Sequence, residues 1–199
     1  METSLSDRPL LRVAMSYYME SCIGGDFGCK ERVKSLFKQL IEKVINFETC
    51  KNELKKMNVS ILALERLGLI LNTPLSPPKK TVEIDSLKMD SERKKHRHWE
   101  NYEDYRLIRA FDMFGENWSE IAKFVGNNRT KYECSQRWKR VLDPDISKDP
   151  WTDEEEMRLR ELVKEYGPKK WKIIASKMGN RCDVQCRYRF LHSHNAQNI

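Results

Sequence analysis

The stretch of sequence that decides the fold runs from residue 151 to residue 190 and reads WTDEEEMRLRELVKEYGPKKWKIIASKMGNRCDVQCRYRF. Three bulky aromatic residues, Trp151, Trp171 and Phe190, divide it into segments of about 19 residues. Thr152 and the acidic run after it are typical of a helix start, where a hydroxyl caps free N–H groups and the helix dipole favours negative charge. The pattern predicts three helices around a core built from the aromatic side chains.

The same pattern occurs about 52 residues earlier, over residues 99–138. Gly115 and Gly167 stand at equivalent positions, where glycine commonly ends a helix. Cys134 and Cys186 are also equivalent, and we expect both to be small buried core residues. The predicted aromatic core consists of Trp99, Trp118 and Trp138 in the first copy, and of Trp151, Trp171 and Phe190 in the second. Such repetition indicates two copies of one supersecondary unit.

The segment before the repeats divides into a helical region, residues 1–71, and a flexible basic linker, residues 72–95. The linker contains three of the seven prolines and shows no apolar periodicity. In the helical region we expect a helix from Pro9 to about Ser21 and a buried apolar segment from Ile61 to Leu71. A stripe at three- and four-residue steps predicts a further helix; it comprises Val33, Leu36, Phe37, Leu40, Ile41, Val44 and Ile45.

The helical region is small for an independent domain, because roughly 70 residues bury only a marginal core. We therefore expect residues 1–71 to bind a protein partner. A self-contained helical hairpin is the alternative.

Composition favours a nucleic-acid partner and argues against a membrane protein. The 199 residues carry a formal net charge of +7, which favours an acidic ligand. The longest apolar stretch, Val59 to Leu71, is shorter than the roughly 20 residues of a spanning helix. The N-terminus has no continuous apolar run of the kind a secretion signal needs, so we expect six reduced cysteines.

The two units resemble Myb repeats. The resemblance is carried by the tryptophan spacing, by WTDEEE at the start of the second unit, and by NRTKYECSQRW and NRCDVQCRYRF at the two ends. VLDPDISKDPWTDEEE, between the units, resembles the linker of adjacent repeats in animal Myb proteins. The resemblance implies an all-α fold with two tandem helix-turn-helix-like repeats, residues 96–145 and 146–195. Their third helices are expected to enter the major groove of double-stranded DNA.

The resemblance also implies which side chains contact DNA. Gln136 is suited to pair with adenine and Arg187 with guanine, whereas Val184 offers only an apolar contact. Arg137 and Arg189 are expected instead to pair with first-helix carboxylates, those of Glu103 and Glu155. The predicted DNA-binding residues are Arg129, Lys131, Tyr132, Ser135, Gln136, Lys139 and Arg140 in the first repeat, and Arg181, Asp183, Val184, Arg187 and Tyr188 in the second.

Transcription regulation in the nucleus is the predicted role, and a basic run at residues 93–97 is a candidate import signal. Two related families offer alternatives. SANT domains bind proteins or histone tails but usually lack a basic third helix. The repeats are also similar to those of the large subunit of the small-nuclear-RNA-activating complex and to spliceosome-associated Myb-like proteins, which favours a subunit of a nuclear complex.

No catalytic residue, cofactor, small-molecule substrate or membrane partner is predicted. Asp26-Phe27-Gly28 matches a kinase triplet by letters only, since the sequence has no glycine-rich loop. Cys182, Cys186, His192 and His194 do not follow a usual zinc-finger spacing, so no metal site is expected.

Overall fold

The computed structural model describes residues 8–22, 28–74 and 98–195, with side chains through residue 193, and the regular elements in these ranges are all helical. The N-terminal region contains α1 (Pro9–Ser21), α2 (Lys30–Ile41), α3 (Phe47–Lys56) and α4 (Leu62–Leu71). The first repeat contains α5 (Asn101–Phe114), α6 (Trp118–Val125) and α7 (Lys131–Arg137), which a π-helical turn continues over Trp138–Leu142. The second repeat contains α8 (Asp153–Tyr166), α9 (Trp171–Met178) and α10 (Asp183–Asn195). The predicted all-α class with two three-helix units is confirmed.

The helix ends of the repeats follow the local sequence signals. Thr152 caps α8 in a capping box with Glu155, as its hydroxyl predicts. Glu100 and Glu103 form the corresponding capping box at the start of α5. Gly115 ends α5 with φ 58°, a left-handed conformation that is strained for residues with a Cβ.

The N-terminal helices differ from the sequence prediction in one place. The apolar stripe was expected to continue through Ile45, but α2 ends at Ile41, Lys43 adopts a φ of 61° and Val44 is 69% exposed. A helix that the apolar pattern did not predict, α3, begins after Asn46, whose side chain accepts a hydrogen bond from the Thr49 backbone N–H at 2.8 Å. Of the residues of α3 only two are buried, so its apolar periodicity is weak.

The described residues form two compact units that divide between Cys134 and Ser135. In the first unit, α1 and α4 pack against each other and against α5. We call the four helices α1 to α4 the N-terminal layer. The layer therefore folds onto the first repeat. The predicted linker, apart from residues 72–74, lies outside the described residues.

Charged side chains on α5 hold the ends of two layer helices. Asp112 accepts a hydrogen bond from the Leu10 backbone N–H at 3.2 Å, at the start of α1, and forms an ion pair with Arg8. Arg109 donates to the carbonyl oxygens of Ile70, at 3.3 Å, and Leu71, at the end of α4. These contacts place a carboxylate at a helix N-terminus and a guanidinium at a helix C-terminus, as the two helix dipoles favour.

Binding of a protein partner through residues 1–71 stays a prediction. The faces of α1 and α4 that pack on α5 are covered by the chain itself. Any partner surface of the N-terminal layer must therefore lie on its other faces.

In the second repeat, the aromatic residues surround a small aliphatic core. Trp171 and Phe190 lie with ring centroids 5.8 Å apart. They and Trp151 pack, half-buried, against a core cluster of buried residues that comprises Leu159, Val163, Ile174, Met178 and Cys186. In the first repeat Trp138 is buried, whereas Trp99 and Trp118 are half-buried. Cys134 and Cys186 are both buried, as predicted.

Candidate nucleic-acid interface

The third helix of each repeat exposes part of the predicted DNA-binding set. In the first repeat Lys131, Tyr132 and Lys139 are exposed, and Tyr132 reaches 63%. In the second repeat Arg187 is exposed, together with Val184 at 50% and Tyr188 at 65%. Large apolar and aromatic side chains this open to solvent on a basic helix are available to a ligand.

Ser135 and Gln136 are less accessible than the sequence predicts, since both are half-buried. The Gln136 side-chain oxygen Oε1 is buried and accepts no hydrogen bond from the described residues. A bidentate contact to adenine uses this oxygen as well as the amide nitrogen. Gln136 must therefore rotate before it can read a base in the predicted way.

Arg129 is part of the core of the first repeat. Its guanidinium donates to Glu103 in two hydrogen bonds, of 2.9 Å from Nε and 2.7 Å from Nη2, and both side chains are 1% exposed. The guanidinium also lies over the Trp99 ring, 4.2 Å from its centroid, in cation–π geometry. Burial alone raises the pKa of Glu103, but hydrogen bonds from Arg129, from the Glu100 backbone and from Asn127 hold it below its usual value.

Arg181 occupies the same place in the second repeat. It bonds Glu155 at 2.8 Å from Nε and 2.6 Å from Nη2, and it lies over the Trp151 ring at 4.7 Å. Arg181 is 3% exposed. Hydrogen bonds from its side chain lower the pKa of Glu155 to about 2, against the opposing effect of burial.

These ion pairs correct two predictions. Arg129 and Arg181 are buried and paired, so each stabilises the core of its own repeat and is not available to DNA phosphates. The carboxylate partner predicted for Arg189 is also wrong, because Glu155 pairs with Arg181. Glu103 pairs with Arg129, and its predicted contact with Arg137 stays a prediction. Arg189 forms its ion pair with Glu156. The signal was present in the sequence: both glutamates stand at the third position of a capped first helix, close to where the Asn-Arg turns bring the third helix.

The connector between the repeats is attached to the second repeat by hydrogen bonds that the sequence pattern does not predict. Arg181 donates to the carbonyl oxygens of Asp149, at 2.8 Å, and Pro150, at 3.1 Å. The Gln185 side chain donates to the Ser147 carbonyl oxygen at 2.8 Å and accepts from the Cys182 backbone N–H, also at 2.8 Å. Gln185 therefore has a structural role.

Arg140 and Asp183, both predicted to contact DNA, pair with each other. Arg140 donates to Asp183 in a bidentate arrangement, with Nε 2.9 Å from Oδ1 and Nη2 2.7 Å from Oδ2. Burial acts to raise the pKa of Asp183, but the hydrogen bond and charge of Arg140 keep it below its usual value. The residues are 43 positions apart, and their pairing had no local sequence signal.

Comparison with protein families agrees with this architecture. Residues 99–159 and residues 148–192 each match a model of the Myb-like DNA-binding domain. The second half of the chain is a pair of Myb-like domains. We refer to them below as the first and second Myb-like domains.

Several known proteins are similar to these domains. Myb-like protein M of Dictyostelium discoideum is 43% identical over 96 residues, which are 48% of this chain and 14% of that protein. Myb-related protein A of Xenopus laevis is 43% identical over 97 residues, 48% of this chain and 13% of that protein. The chain thus spans a small part of the length of these relatives. A solved structure, that of Trichomonas vaginalis Myb2 in complex with MRE-1-12 DNA, is also similar. Its protein is 36% identical in sequence to this chain, the match covers 53% of this chain and all of the Myb2 chain, and the TM-score is 0.47.

The described residues contain neither a membrane-spanning helix nor a cluster of metal-ligating side chains. No helix in residues 8–22, 28–74 and 98–195 has the length and apolar character needed to cross a membrane. Within the same ranges, His, Cys, Asp and Glu side chains form no group of three or more that could hold a metal ion.

Acid is expected to destabilise the second Myb-like domain through Glu155. Its pKa falls from a usual value of 4.5 to about 2 in the folded protein, chiefly through the hydrogen bond from Arg181. Because the folded-state pKa is the lower one, this contribution to the free energy of unfolding is complete above about pH 4.5 and is lost as the pH falls toward about 2.

The test is denaturant unfolding of the parent and of Glu155→Gln at several pH values between about 2 and 4.5 and at neutral pH. Hydrogen exchange of α9 and α10 shows whether the loss of stability lies in the second Myb-like domain. We expect the variant to be less stable than the parent at neutral pH, and its unfolding free energy to depend less on pH. Glu161→Gln, an exposed residue of the same helix, serves as the control. Equal pH dependence in Glu155→Gln and the parent would show that Glu155 is not responsible.

Proposed function

We propose that the chain binds double-stranded DNA through the third helices of its two Myb-like domains. The observation that carries the proposal is the exposure of basic and aromatic side chains on α7, its continuation and α10, within the segments that match Myb-like DNA-binding domains. A helix that enters the major groove needs such a row of accessible side chains. The relatives named above bear Myb names, and the Trichomonas vaginalis structure contains DNA.

The accessible residues divide into two chemical groups. Lys131, Lys139 and Arg187 carry positive charge and are suited to contact phosphates, which dominate affinity and make it depend on salt. Tyr132, Val184 and Tyr188 are suited to apolar contact in the groove, for example with thymine methyl groups. Arg187 can also pair with guanine in a bidentate contact. Ser135 and Gln136 stay in the proposed set as residues at its half-buried edge.

We further propose that this binding serves transcription regulation in the nucleus and that the chain acts by binding rather than by catalysis. The second candidate is a subunit of a nuclear multiprotein complex. The N-terminal layer favours this candidate, because it lies outside the matched segments and exposes two apolar side chains of α4, Leu62 and Leu69. In that case a partner protein contributes to the choice of DNA site.

Charge reversal on the third helices is expected to weaken DNA binding by the full chain. Lys139→Glu and Arg187→Glu each remove a cation, so we expect affinity to fall about tenfold or more and the salt slope to drop by about 1. The measurement is binding to random-sequence duplex across a salt series, followed by sequencing of the retained DNA. Lys164→Glu, a reversal of an exposed lysine on α8, is the control for net charge.

The outcomes separate the candidates. Enrichment of a motif by the parent, with losses in both third-helix variants but not in Lys164→Glu, supports sequence-specific binding. Steep salt dependence without enrichment favours the complex subunit. If the parent does not bind DNA even at low salt, or the third-helix variants bind as well as the parent, the proposal fails.

A further inference from the structure

Asp183 stands at the start of a helix proposed to read DNA, yet its carboxylate faces an arginine of the same chain. We propose that Asp183 is a positioning residue, which holds the segment Trp138–Leu142 against the start of α10, and that it is not a base contact. This inference rests on the proposed DNA binding and concerns how the same interface achieves specificity.

The hydrogen bonds of Asp183 account for both of its carboxylate oxygens. Oδ1 accepts from Arg140 Nε at 2.9 Å and from the Val184 backbone N–H at 3.0 Å, and Oδ2 accepts from Arg140 Nη2 at 2.7 Å. A bidentate guanidinium–carboxylate pair fixes direction as well as distance. The side chains are 34% and 19% exposed, so the pair is partly shielded from solvent.

The connector that follows Arg140 is tied down at its far end as well. The Ser147 backbone N–H donates to the Asn180 carbonyl oxygen at 2.9 Å, and Gln185 donates to the Ser147 carbonyl oxygen at 2.8 Å. Arg181 binds the carbonyl oxygens of Asp149 and Pro150. Contacts at both ends of residues 140–150 therefore attach this segment to the second Myb-like domain, and it is not a loose tether.

Such attachment has a consequence for DNA recognition. When the connection between two DNA-binding elements is fixed, less conformational entropy is lost as the second element binds. The gain in affinity applies only to DNA that both elements fit at once. Asp183 itself is a negative charge beside a phosphate-binding helix, and it neutralises Arg140. It therefore lowers non-specific attraction while it favours one arrangement of the contacts.

This role predicts opposite effects on two kinds of DNA. In Asp183→Asn we expect affinity for random-sequence duplex to stay equal or rise, because a negative charge near the phosphates is lost. Affinity for the motif that the parent enriches is expected to fall. The binding ratio, which is the affinity for this motif divided by the affinity for random-sequence duplex, is expected to drop about tenfold, a typical size for coupling between contacting residues. An aspartate that reads cytosine would instead lose its preference at a single base pair.

The experiment is a double-mutant cycle in the full chain with Asp183→Asn, Arg140→Gln and both together. We expect each single variant to lower the binding ratio and the double variant to be no worse than either one. The exchanged pair, Arg140→Asp with Asp183→Arg, is expected to recover part of the ratio. Asp153→Asn, which removes the charge of the first residue of α8, is the matched control and is expected to leave the ratio unchanged.

Three results would overturn the inference. The first is an unchanged binding ratio in Asp183→Asn while the parent binds its motif, which would leave the proposed function intact. The second is a loss confined to one base pair, which would make Asp183 a base contact. The third is failure of the parent to bind DNA, which would remove the proposed function and this inference together. Hydrogen exchange of α10 checks that each variant remains folded.

Discussion

Arg129→Ala is expected to unfold the first Myb-like domain. The substitution leaves the Glu103 carboxylate buried without its cation, and both side chains are 1% exposed in the parent. Removing one member of a buried ion pair typically costs about 3–5 kcal/mol, because the remaining charge has no compensation. The Trp99 ring also loses the guanidinium that lies over it. Denaturant unfolding of the full chain, with hydrogen exchange of α5 and α6 as the readout, measures the loss.

Two comparisons make this prediction specific. Lys131→Ala, an exposed residue two positions later, is expected to leave the unfolding free energy within about 0.5 kcal/mol of the parent. Arg137→Ala tests the pairing that sequence alone favoured. A larger loss of stability in Arg137→Ala than in Arg129→Ala would contradict the assignment of the buried pair to Arg129.

Leu67→Ala is expected to destabilise the first Myb-like domain from outside it. Leu67 lies in α4 and is fully buried, so its truncation is expected to cost about 2–5 kcal/mol. Because α1 and α4 pack on α5 within one compact unit, the loss should reach α5 as well as the N-terminal layer. Hydrogen exchange by mass spectrometry, resolved by peptide, is the measurement: α1, α4 and α5 are expected to lose protection together.

The matched control is Leu159→Ala, since Leu159 is a buried leucine in the core of the second Myb-like domain. It is expected to lower protection in α8 to α10 and to leave α1 to α5 unchanged. If α5 keeps its full protection in Leu67→Ala while α1 and α4 lose theirs, the first domain is stable without the N-terminal layer.

The sequence predicted those features that depend on neighbouring residues. Helix starts such as Thr152, helix ends such as Gly115 and the spacing of the aromatic residues are local patterns, and the structure agrees with each of them. The prediction failed where a helix has few apolar residues, as in α3, or where a positive φ interrupts an amphipathic pattern, as at Lys43.

The accessible part of the candidate interface was harder to predict, because it depends on which cation reaches which carboxylate in the folded chain. Arg129 and Arg137 both lie at or near the third helix, and only the three-dimensional arrangement shows that Glu103 pairs with Arg129. Arg140 and Asp183 each fit a DNA contact when considered alone. Their pairing depends on the path of the connector, which a pattern of single residues does not determine.

The order of charges on α5 has a consequence for the topology of the first unit. Arg109 and Asp112 stand about one turn apart on the same helix, and they bind the end of α4 and the start of α1. If the two layer helices exchanged places, the positive end of α1 would meet Arg109 and the negative end of α4 would meet Asp112, so attraction would become repulsion. Two residues of α5 thus encode a direction as well as a site, and they disfavour the exchanged arrangement, which hydrophobic packing alone would tolerate.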